Sequence, residues 1–278
     1  MKSLTTYINE KMVYSKTNAS KYKYYPESKE ELQDILKELI KERGNNGDFN
    51  DIDTSEITDM SNLFEDMTDF NGLISKWNVS NVTNMEWMFG MCKSFNQPLN
   101  DWDVSNVKNM HAIFGSCESF NQKLANWNVS KVKNMESAFR YCEKFNQDIS
   151  KWNVSKVKDM CYMFYDCKSF NQPLNDWDVS NVTIMEGMFY KCHKFNKSLD
   201  NWNVSNVINM RSMFNGCKSF NQPLNKWDVS NVTDMYSMFK GCESFNQDIS
   251  KWNISKVKNY TNMFNECQIK EKYNPKFQ

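Results

Sequence analysis

A unit of 25 residues is repeated along most of this chain, and it constrains the fold more than any other feature. Tryptophan recurs at this spacing without an insertion, at Trp77, Trp102, Trp127, Trp152, Trp177, Trp202, Trp227 and Trp252. A degenerate first unit precedes them, with Ile52 in the place of the tryptophan. A fixed period of this length is typical of proteins whose units stack and share one core. We therefore expect about nine units in a single array.

The apolar residues within one unit predict a short strand followed by a helix. With Trp177 counted as position 0, they stand at −3, 0, +2, +5, +8, +11, +12, +15 and +18. Steps of three and four from +5 to +15 are typical of a helix buried on one face. Positions 0 and +2 point the same way in a strand. The serine at +3 is then the predicted N-cap of the helix, and the fold class is an α/β solenoid of strand–helix units.

A non-repeating segment, residues 1–47, is predicted to cap the array. Ser28 and Glu31 form a capping box, apolar residues follow at helical spacing, and Gly44 ends the helix. The apolar residues of this helix are Leu32, Ile35, Leu36, Leu39 and Ile40. A strand is predicted at residues 22–25, and a short helix at residues 4–8. The predicted domains are thus the cap (1–47), the repeats (48–268) and a polar tail (269–278).

Charge and hydropathy exclude several classes of partner. The chain has 34 basic and 34 acidic residues, so no long-range field favours nucleic acid or an anionic membrane. No apolar run reaches the roughly 18 residues of a membrane-spanning helix. The N-terminal residues have no apolar run of signal-peptide type. From the residues alone, we expect a cytoplasmic or particle-associated protein that does not insert into membranes.

Eight of the nine cysteines share one repeat position and are predicted to be buried free thiols. They are Cys92, Cys117, Cys142, Cys167, Cys192, Cys217, Cys242 and Cys267. Packed helices would separate them by roughly 8–10 Å, which is too far for a disulfide. Metal binding or a redox ladder is the alternative. The ninth, Cys161, stands where other units carry polar residues, so it is predicted to be an exposed thiol.

Two columns of polar residues are predicted to run along the array. Position +1 is always Asp or Asn, as in Asp103 and Asp178, and we interpret it as a ladder of amides and carboxylates. The alternative is that carboxylates in this column bind a cation such as Ca²⁺. Asparagine at +19, as in Asn171, is predicted to bond the backbone of the neighbouring unit.

A candidate binding surface consists of residues that depart from the repeat pattern. Aromatic side chains stand at positions that are otherwise polar, and such residues are enriched at interfaces. They are Trp87, Tyr141, Tyr162, Tyr165, Tyr190 and Tyr236, of which the four tyrosines 141–190 come from three successive units. Position −1 varies in charge and supplies Asp101, Lys151, Asp176 and Lys226. The aromatic residues are alternatively half-buried spacers, and the charged ones a solvated face.

Catalysis has little support in the sequence. The two histidines, His111 and His193, occupy different repeat positions, and no Gly-rich phosphate loop, CxxC or HExxH motif occurs. An active site needs unlike residues that converge, whereas stacked repeats present columns of like residues. We therefore predict that the protein is not an enzyme and uses no cofactor.

Units such as Phe-Asn-Gln-Pro-Leu-Asn-Asp-Trp-Asp-Val-Ser-Asn-Val-Thr resemble the repeat of BspA-like bacterial surface proteins and mycoplasma lipoproteins. The Leu-x-x-Trp-x-Val core is similar to the strand of a leucine-rich repeat. This resemblance implies a leucine-rich-repeat-like solenoid, display at the cell surface, and adhesion to or recognition of a protein or glycan. Related repeats in phage and viral proteins imply an alternative, a structural or assembly component of a particle. The ligand and the oligomeric state stay open.

Overall fold

The computed structural model describes residues 21–276, and it contains one α-helix, α1, at Lys29–Arg43. A single 3₁₀ turn follows near the other end, at Glu271–Tyr273. The short helix predicted at residues 4–8 lies outside the described residues. No helix in the described range is both long and apolar enough to cross a membrane.

Helix α1 begins and ends as the sequence predicts. The Ser28 side chain accepts a hydrogen bond from the backbone N–H of Glu31 at 3.2 Å, and the Glu31 carboxylate accepts one from the Glu27 N–H at 2.8 Å. Gly44 has a left-handed φ of 74°, and its N–H donates to the Ile40 carbonyl. The buried face consists of Leu32, Ile35, Leu36 and Leu39, which belong to the same core cluster as the first repeats.

Within residues 21–276, the repeats contain neither a helix nor a strand, so the predicted α/β solenoid of strand–helix units is wrong. Each repeat is a coil built from successive turns. Single parallel bridges join neighbouring coils, for example Asn84 with Asn109 and Asn134 with Asp159. The strand predicted at residues 22–25 is likewise reduced to one bridge from Tyr24 to Ile52. No parallel sheet of the leucine-rich-repeat type forms in this range.

The segment predicted to be helical is a ribbon in which backbone N–H groups alternate in direction. In the coil of Trp177, the N–H groups of Met185, Gly187 and Phe189 donate to carbonyls of the next coil at 3.0, 2.8 and 2.9 Å. The intervening N–H groups donate within the coil, as from Met188 to the Met185 carbonyl at 3.2 Å. A helix would direct every N–H to the fourth residue back. We call positions +8 to +14 the alternating ribbon.

Two positions of this ribbon, +10 and +14, have left-handed backbone in every coil. In successive coils they are Tyr162 and Asp166, with φ of 55° and 58°, and Gly187 and Lys191, with φ of 56° and 54°. A left-handed residue cannot continue a right-handed helix. Steps of three and four between apolar residues therefore arise here from linked turns that repeatedly return side chains to the core.

The apolar columns form the core, as predicted. Trp202 and Trp227 stack with their ring planes 2° apart and their centroids separated by 6.3 Å. Phe189 and Phe214 stack at 5.6 Å. Each indole N–H is also satisfied, as in the hydrogen bond from Trp202 Nε1 to the Leu174 carbonyl at 2.8 Å. Stacking thus buries both the rings and their one polar atom.

The asparagine column at +19 joins neighbouring coils, which confirms the prediction. The side-chain oxygen of Asn146 accepts from the backbone N–H of Asn171, and that of Asn171 accepts from Asn196, both at 2.9 Å. Each side chain therefore fixes the register of the next coil.

The last coil is more open than the others. Tyr260 is 40% exposed, whereas the equivalent Met235 is fully buried. The chain after this coil folds back onto it. The Tyr273 carbonyl accepts a hydrogen bond from the Ile249 N–H at 3.0 Å, and Pro275 is buried. The division of the chain at residues 47 and 268 stays a prediction.

Candidate functional site

All six aromatic residues of the predicted binding surface lie on the alternating ribbon, and all are half-buried. They occupy four of its positions: Tyr236 at +9, Trp87 and Tyr162 at +10, Tyr165 and Tyr190 at +13, and Tyr141 at +14. The structure brings four of them together and leaves Trp87 and Tyr236 apart from that group.

Four tyrosines from three successive coils pack with one arginine. We call Arg140, Tyr141, Tyr162, Tyr165 and Tyr190 the tyrosine cluster. The rings of Tyr165 and Tyr190 are parallel within 4°, with centroids 4.3 Å apart. Tyr141 and Tyr162 meet the Tyr165 ring edge-on, at 5.3 and 5.6 Å. Such offset and edge contacts are favourable aromatic geometries.

Arg140 stands among three of these rings. Its guanidinium carbon lies 5.0, 5.4 and 5.1 Å from the ring centroids of Tyr141, Tyr162 and Tyr165. These distances are within the range of cation–π attraction. Arg140 is absent from the surface predicted from the sequence, although the repeat contains a signal for it. Arg140, Tyr165 and Tyr190 are the +13 residues of successive coils, so stacking alone places them in a row.

Tyr162 is fixed by a carboxylate and by a glycine in the next coil. Its hydroxyl donates to the Glu186 carboxylate at 2.5 Å. A Cβ atom at Gly187 would lie only 2.6 Å from Cδ1 of the Tyr162 ring, so glycine leaves the space that this ring fills. Burial, reinforced by Glu186, raises the pKa of the Tyr162 hydroxyl. Burial and the neighbouring tyrosines raise the pKa of Tyr165. The Tyr162 hydroxyl therefore keeps its proton and donates a hydrogen bond to Glu186.

Trp87 and Tyr236 form separate contacts on the same ribbon. The Trp87 ring meets the ring of His111 at 5.8 Å and covers Gly90, where a Cβ atom would lie 2.3 Å from Cε3. The guanidinium carbon of Arg211 lies 4.1 Å from the Tyr236 ring centroid. No ring contact among the described residues joins either aromatic residue to the tyrosine cluster.

The four charged residues of the predicted surface form a different region. Asp101, Lys151, Asp176 and Lys226 are exposed. Lys226 forms an ion pair with Asp200 of the preceding coil. Between residues 21 and 276, no hydrogen bond, ion pair or ring contact connects the four to the tyrosine cluster. The predicted surface therefore divides into the ribbon, which carries the aromatic residues, and a separate charged region.

The Asp and Asn side chains at +1 bond within their own coil, so the predicted ladder between units is wrong. Asp178 Oδ1 accepts from the backbone N–H of Ser180 at 3.0 Å, and Asp103 accepts from Ser105 at 3.0 Å. Hydrogen bonds from Ser105 lower the pKa of Asp103. The serine at +3 thus closes a turn and is not the N-cap of a helix. No group of three His, Cys, Asp or Glu side chains in the described range is placed to hold a metal ion.

The periodic cysteines are free, and seven of the eight are buried, while Cys267 of the last coil is half-buried. The Cys192 thiol donates to the Phe164 carbonyl of the preceding coil at 2.9 Å, and burial raises its pKa. This confirms buried free thiols, although the packed helices expected to hold them apart do not form within residues 48–268. Cys161 is only 9% exposed, and burial raises its pKa, so the prediction of an exposed thiol is wrong.

The two histidines do not share a site in the described structure. His111 Nδ1 lies 3.4 Å from the Glu136 carboxylate at the ribbon, whereas His193 stands at +16, where burial lowers its pKa. Within residues 21–276, no hydrogen bond or ion pair joins one histidine to the other. That the protein is not an enzyme stays a prediction.

A family model described as "Mycoplasma protein of unknown function, DUF285" matches residues 33–141, 122–214 and 173–276. Because these matches together cover more than half of the chain, the chain belongs to this family. The match supports the resemblance to mycoplasma repeats, and it does not confirm membership of the BspA-like group. A search of curated proteins finds no match.

Among solved structures, "Plant peptide hormone receptor RGFR1 in complex with RGF2" aligns with 77% of this chain at 10% identity and a TM-score of 0.16. The alignment covers 49% of the receptor chain, so this chain spans about half its length. A TM-score this low does not establish a shared fold.

Proposed function

We propose that this protein is a non-enzymatic binding protein that recognises a protein partner through the tyrosine cluster. The observation that carries the proposal is the gathering of four half-buried tyrosines around Arg140, outside the core columns. Tyrosine, tryptophan and arginine are the residues most enriched where protein interfaces concentrate their binding energy. The surface-protein type of adhesion that BspA-like repeats imply is the specific role that we propose.

The backbone supports a role for these rings beyond stability. Tyr141 and Tyr162 have left-handed φ of 59° and 55°, which is unfavourable for a bulky residue. The same two positions are filled by Ser116 and Ser137 in neighbouring coils that have the same backbone. The coil therefore does not require a ring at either position. Because every coil has this backbone, the rings and not the backbone conformation distinguish these coils from their neighbours.

Selection of short random peptides displayed on phage, with the full chain immobilised, tests the proposal. Selected peptides should bind a Tyr165→Ala/Tyr190→Ala variant at least about tenfold more weakly than the parent. Tyr236→Ala is the matched control, because it removes a tyrosine from the same ribbon that packs on a different arginine. Its affinity should stay within about twofold of the parent.

Selected peptides that bind the double variant and the parent equally would contradict recognition by the cluster. Light scattering on the parent adds a second outcome. Self-association that the double variant does not change would favour the alternative of a structural or assembly component of a particle.

A further inference from the structure

We infer that the tyrosine cluster accepts a carboxylate group of the protein partner, and that Arg140 is the residue that binds it. This inference rests on the proposed function and adds the chemistry of the partner: an acidic peptide segment, with an aspartate or glutamate side chain at the guanidinium.

Arg140 differs from the two other arginines of the chain in its ion pairing. Arg43 forms a bidentate pair with Asp51, with N–O distances of 2.7 and 3.0 Å. Arg211 lies between Glu186 and Asp234, at 3.9 and 3.7 Å. Arg140 has no ion pair within residues 21–276, and its buried Nε has no hydrogen-bond partner there. Its aromatic neighbours attract the cation but leave its N–H groups unused.

Three carboxylates in the coils that form the tyrosine cluster lie next to other groups. Glu143 pairs with Lys168 at 2.5 Å, and Glu136 faces His111 at 3.4 Å. Glu186 accepts from the Tyr162 hydroxyl at 2.5 Å and from the Asn209 amide at 2.9 Å. Within residues 21–276, none of these carboxylates forms an ion pair with Arg140.

The geometry of the cluster suits a carboxylate ligand. A guanidinium presents a planar fork of donors that matches the two oxygens of a carboxylate. The rings of Tyr141, Tyr162 and Tyr165 limit the movement of Arg140, so less conformational freedom is lost when a ligand binds. Arg140 and the four tyrosines are half-buried, so part of each side chain faces solvent.

The test compares selected peptides with their neutral counterparts. Each acidic residue of a selected peptide is replaced by its amide, Glu by Gln or Asp by Asn, and affinities are measured for the parent, Arg140→Gln and Arg211→Gln. In the parent, one such replacement should weaken binding by about tenfold or more. In Arg140→Gln, the acidic and neutral peptides should bind alike. Arg211→Gln should preserve the difference, because Arg211 already has carboxylate partners.

A second variant separates charge from geometry and guards against misfolding. Arg140→Lys keeps the charge and loses the fork, so it should retain only part of the preference for the acidic peptide. An equal affinity of the parent for acidic and neutral peptides would overturn the inference. So would a preference that Arg140→Gln leaves intact.

The outcomes also distinguish this inference from the proposed function. Peptides that require Tyr165 and Tyr190 but no carboxylate would overturn the inference and leave the proposed function standing. Peptides that require neither the tyrosines nor a carboxylate would overturn both the inference and the proposed function. A selection that yields no peptide that binds the tyrosine cluster would also overturn both.

Discussion

The core columns and the variable positions of the alternating ribbon belong to the same coils, yet they obey different constraints. In the core, position +12 is phenylalanine in every coil, and its rings stack at nearly constant distance, as for Phe189 and Phe214 at 5.6 Å. On the ribbon, position +13 changes from Arg140 to Tyr165 and then to Asn215 two coils later. The backbone stays the same through all these changes.

The difference shows how one repeat can specify a fold and still carry a specific site. Core residues are fixed because each ring fills the space between two neighbours, and close packing tolerates little change in volume. The variable ribbon residues are held in place by backbone hydrogen bonds, which do not depend on side-chain identity. Variation can therefore accumulate on the ribbon at low cost to the stack.

Truncation of a core aromatic residue should produce the largest loss of stability. We expect Trp177→Ala or Phe189→Ala to lower the free energy of unfolding by about 3–5 kcal/mol, measured by denaturant titration. Trp177 is 3% exposed, and its indole N–H donates to the Ile149 carbonyl at 3.1 Å. The exposed neighbour Asp176 is the control, and Asp176→Ala should change the value by at most about 0.5 kcal/mol. Equal effects of the two changes would contradict the core assignment.

Alanine substitutions at two left-handed glycines, Gly241 and Gly187, separate the cost of backbone strain from the cost of side-chain crowding on the ribbon. Gly241→Ala should cost about 1–2 kcal/mol through its φ of 68° alone, because its nearest neighbour would be at an ordinary 3.6 Å. Gly187→Ala should cost about 1–3 kcal/mol more, since its Cβ atom would collide with the Tyr162 ring.

The excess cost of Gly187→Ala should disappear when Tyr162 is also replaced by alanine, because the collision is then removed. A double-mutant cycle of unfolding free energies measures this coupling. Additive changes in the free energy of unfolding would show that the Tyr162 ring does not collide with a side chain at position 187.

A smaller change, in the direction of higher stability, is expected for a substitution at Met91. This residue is 40% exposed and has a left-handed φ of 63°. Met91→Gly should leave the free energy of unfolding unchanged or raise it by up to about 1 kcal/mol, because glycine adopts this conformation without strain. Met88→Gly, at a fully buried position three residues earlier, should instead lower it by more than about 2 kcal/mol. Destabilisation of similar size at both positions would contradict the distinction between variable ribbon positions and core positions.

The sequence predicts the repeat, the core columns and α1, because each of these depends on periodicity or on local capping chemistry. It predicts the wrong secondary structure within each repeat, because apolar spacings of three and four residues fit linked turns as well as a helix. Glycine would have indicated left-handed positions, but most of them carry other residues, such as Tyr162 and Lys191. The serine at +3 is misread for the same reason, since without a helix it closes a turn.

The candidate site was only partly predictable. Four tyrosines from successive units suggest proximity, and their ring contacts follow from the stacking. The role of Arg140 depends on which carboxylates are already paired, such as Glu143 with Lys168, and this requires side-chain positions. The charged residues at −1 depart from the repeat as the aromatic residues do, so the sequence alone predicts one surface for both. The structure separates them because position −1 and positions +9 to +14 lie in different parts of each coil.

The most direct test is to give the tyrosine cluster the residues that other coils carry at the same positions. The variant Tyr141→Ser, Tyr162→Ser, Tyr165→Asn and Tyr190→Asn copies Ser116, Ser137 and Asn215. Its affinity for peptides selected on the parent is measured together with its melting temperature. We predict a fall in Tm of only a few degrees and loss of binding. A variant that unfolds would place these tyrosines in the core, and one that binds with undiminished affinity would place recognition elsewhere.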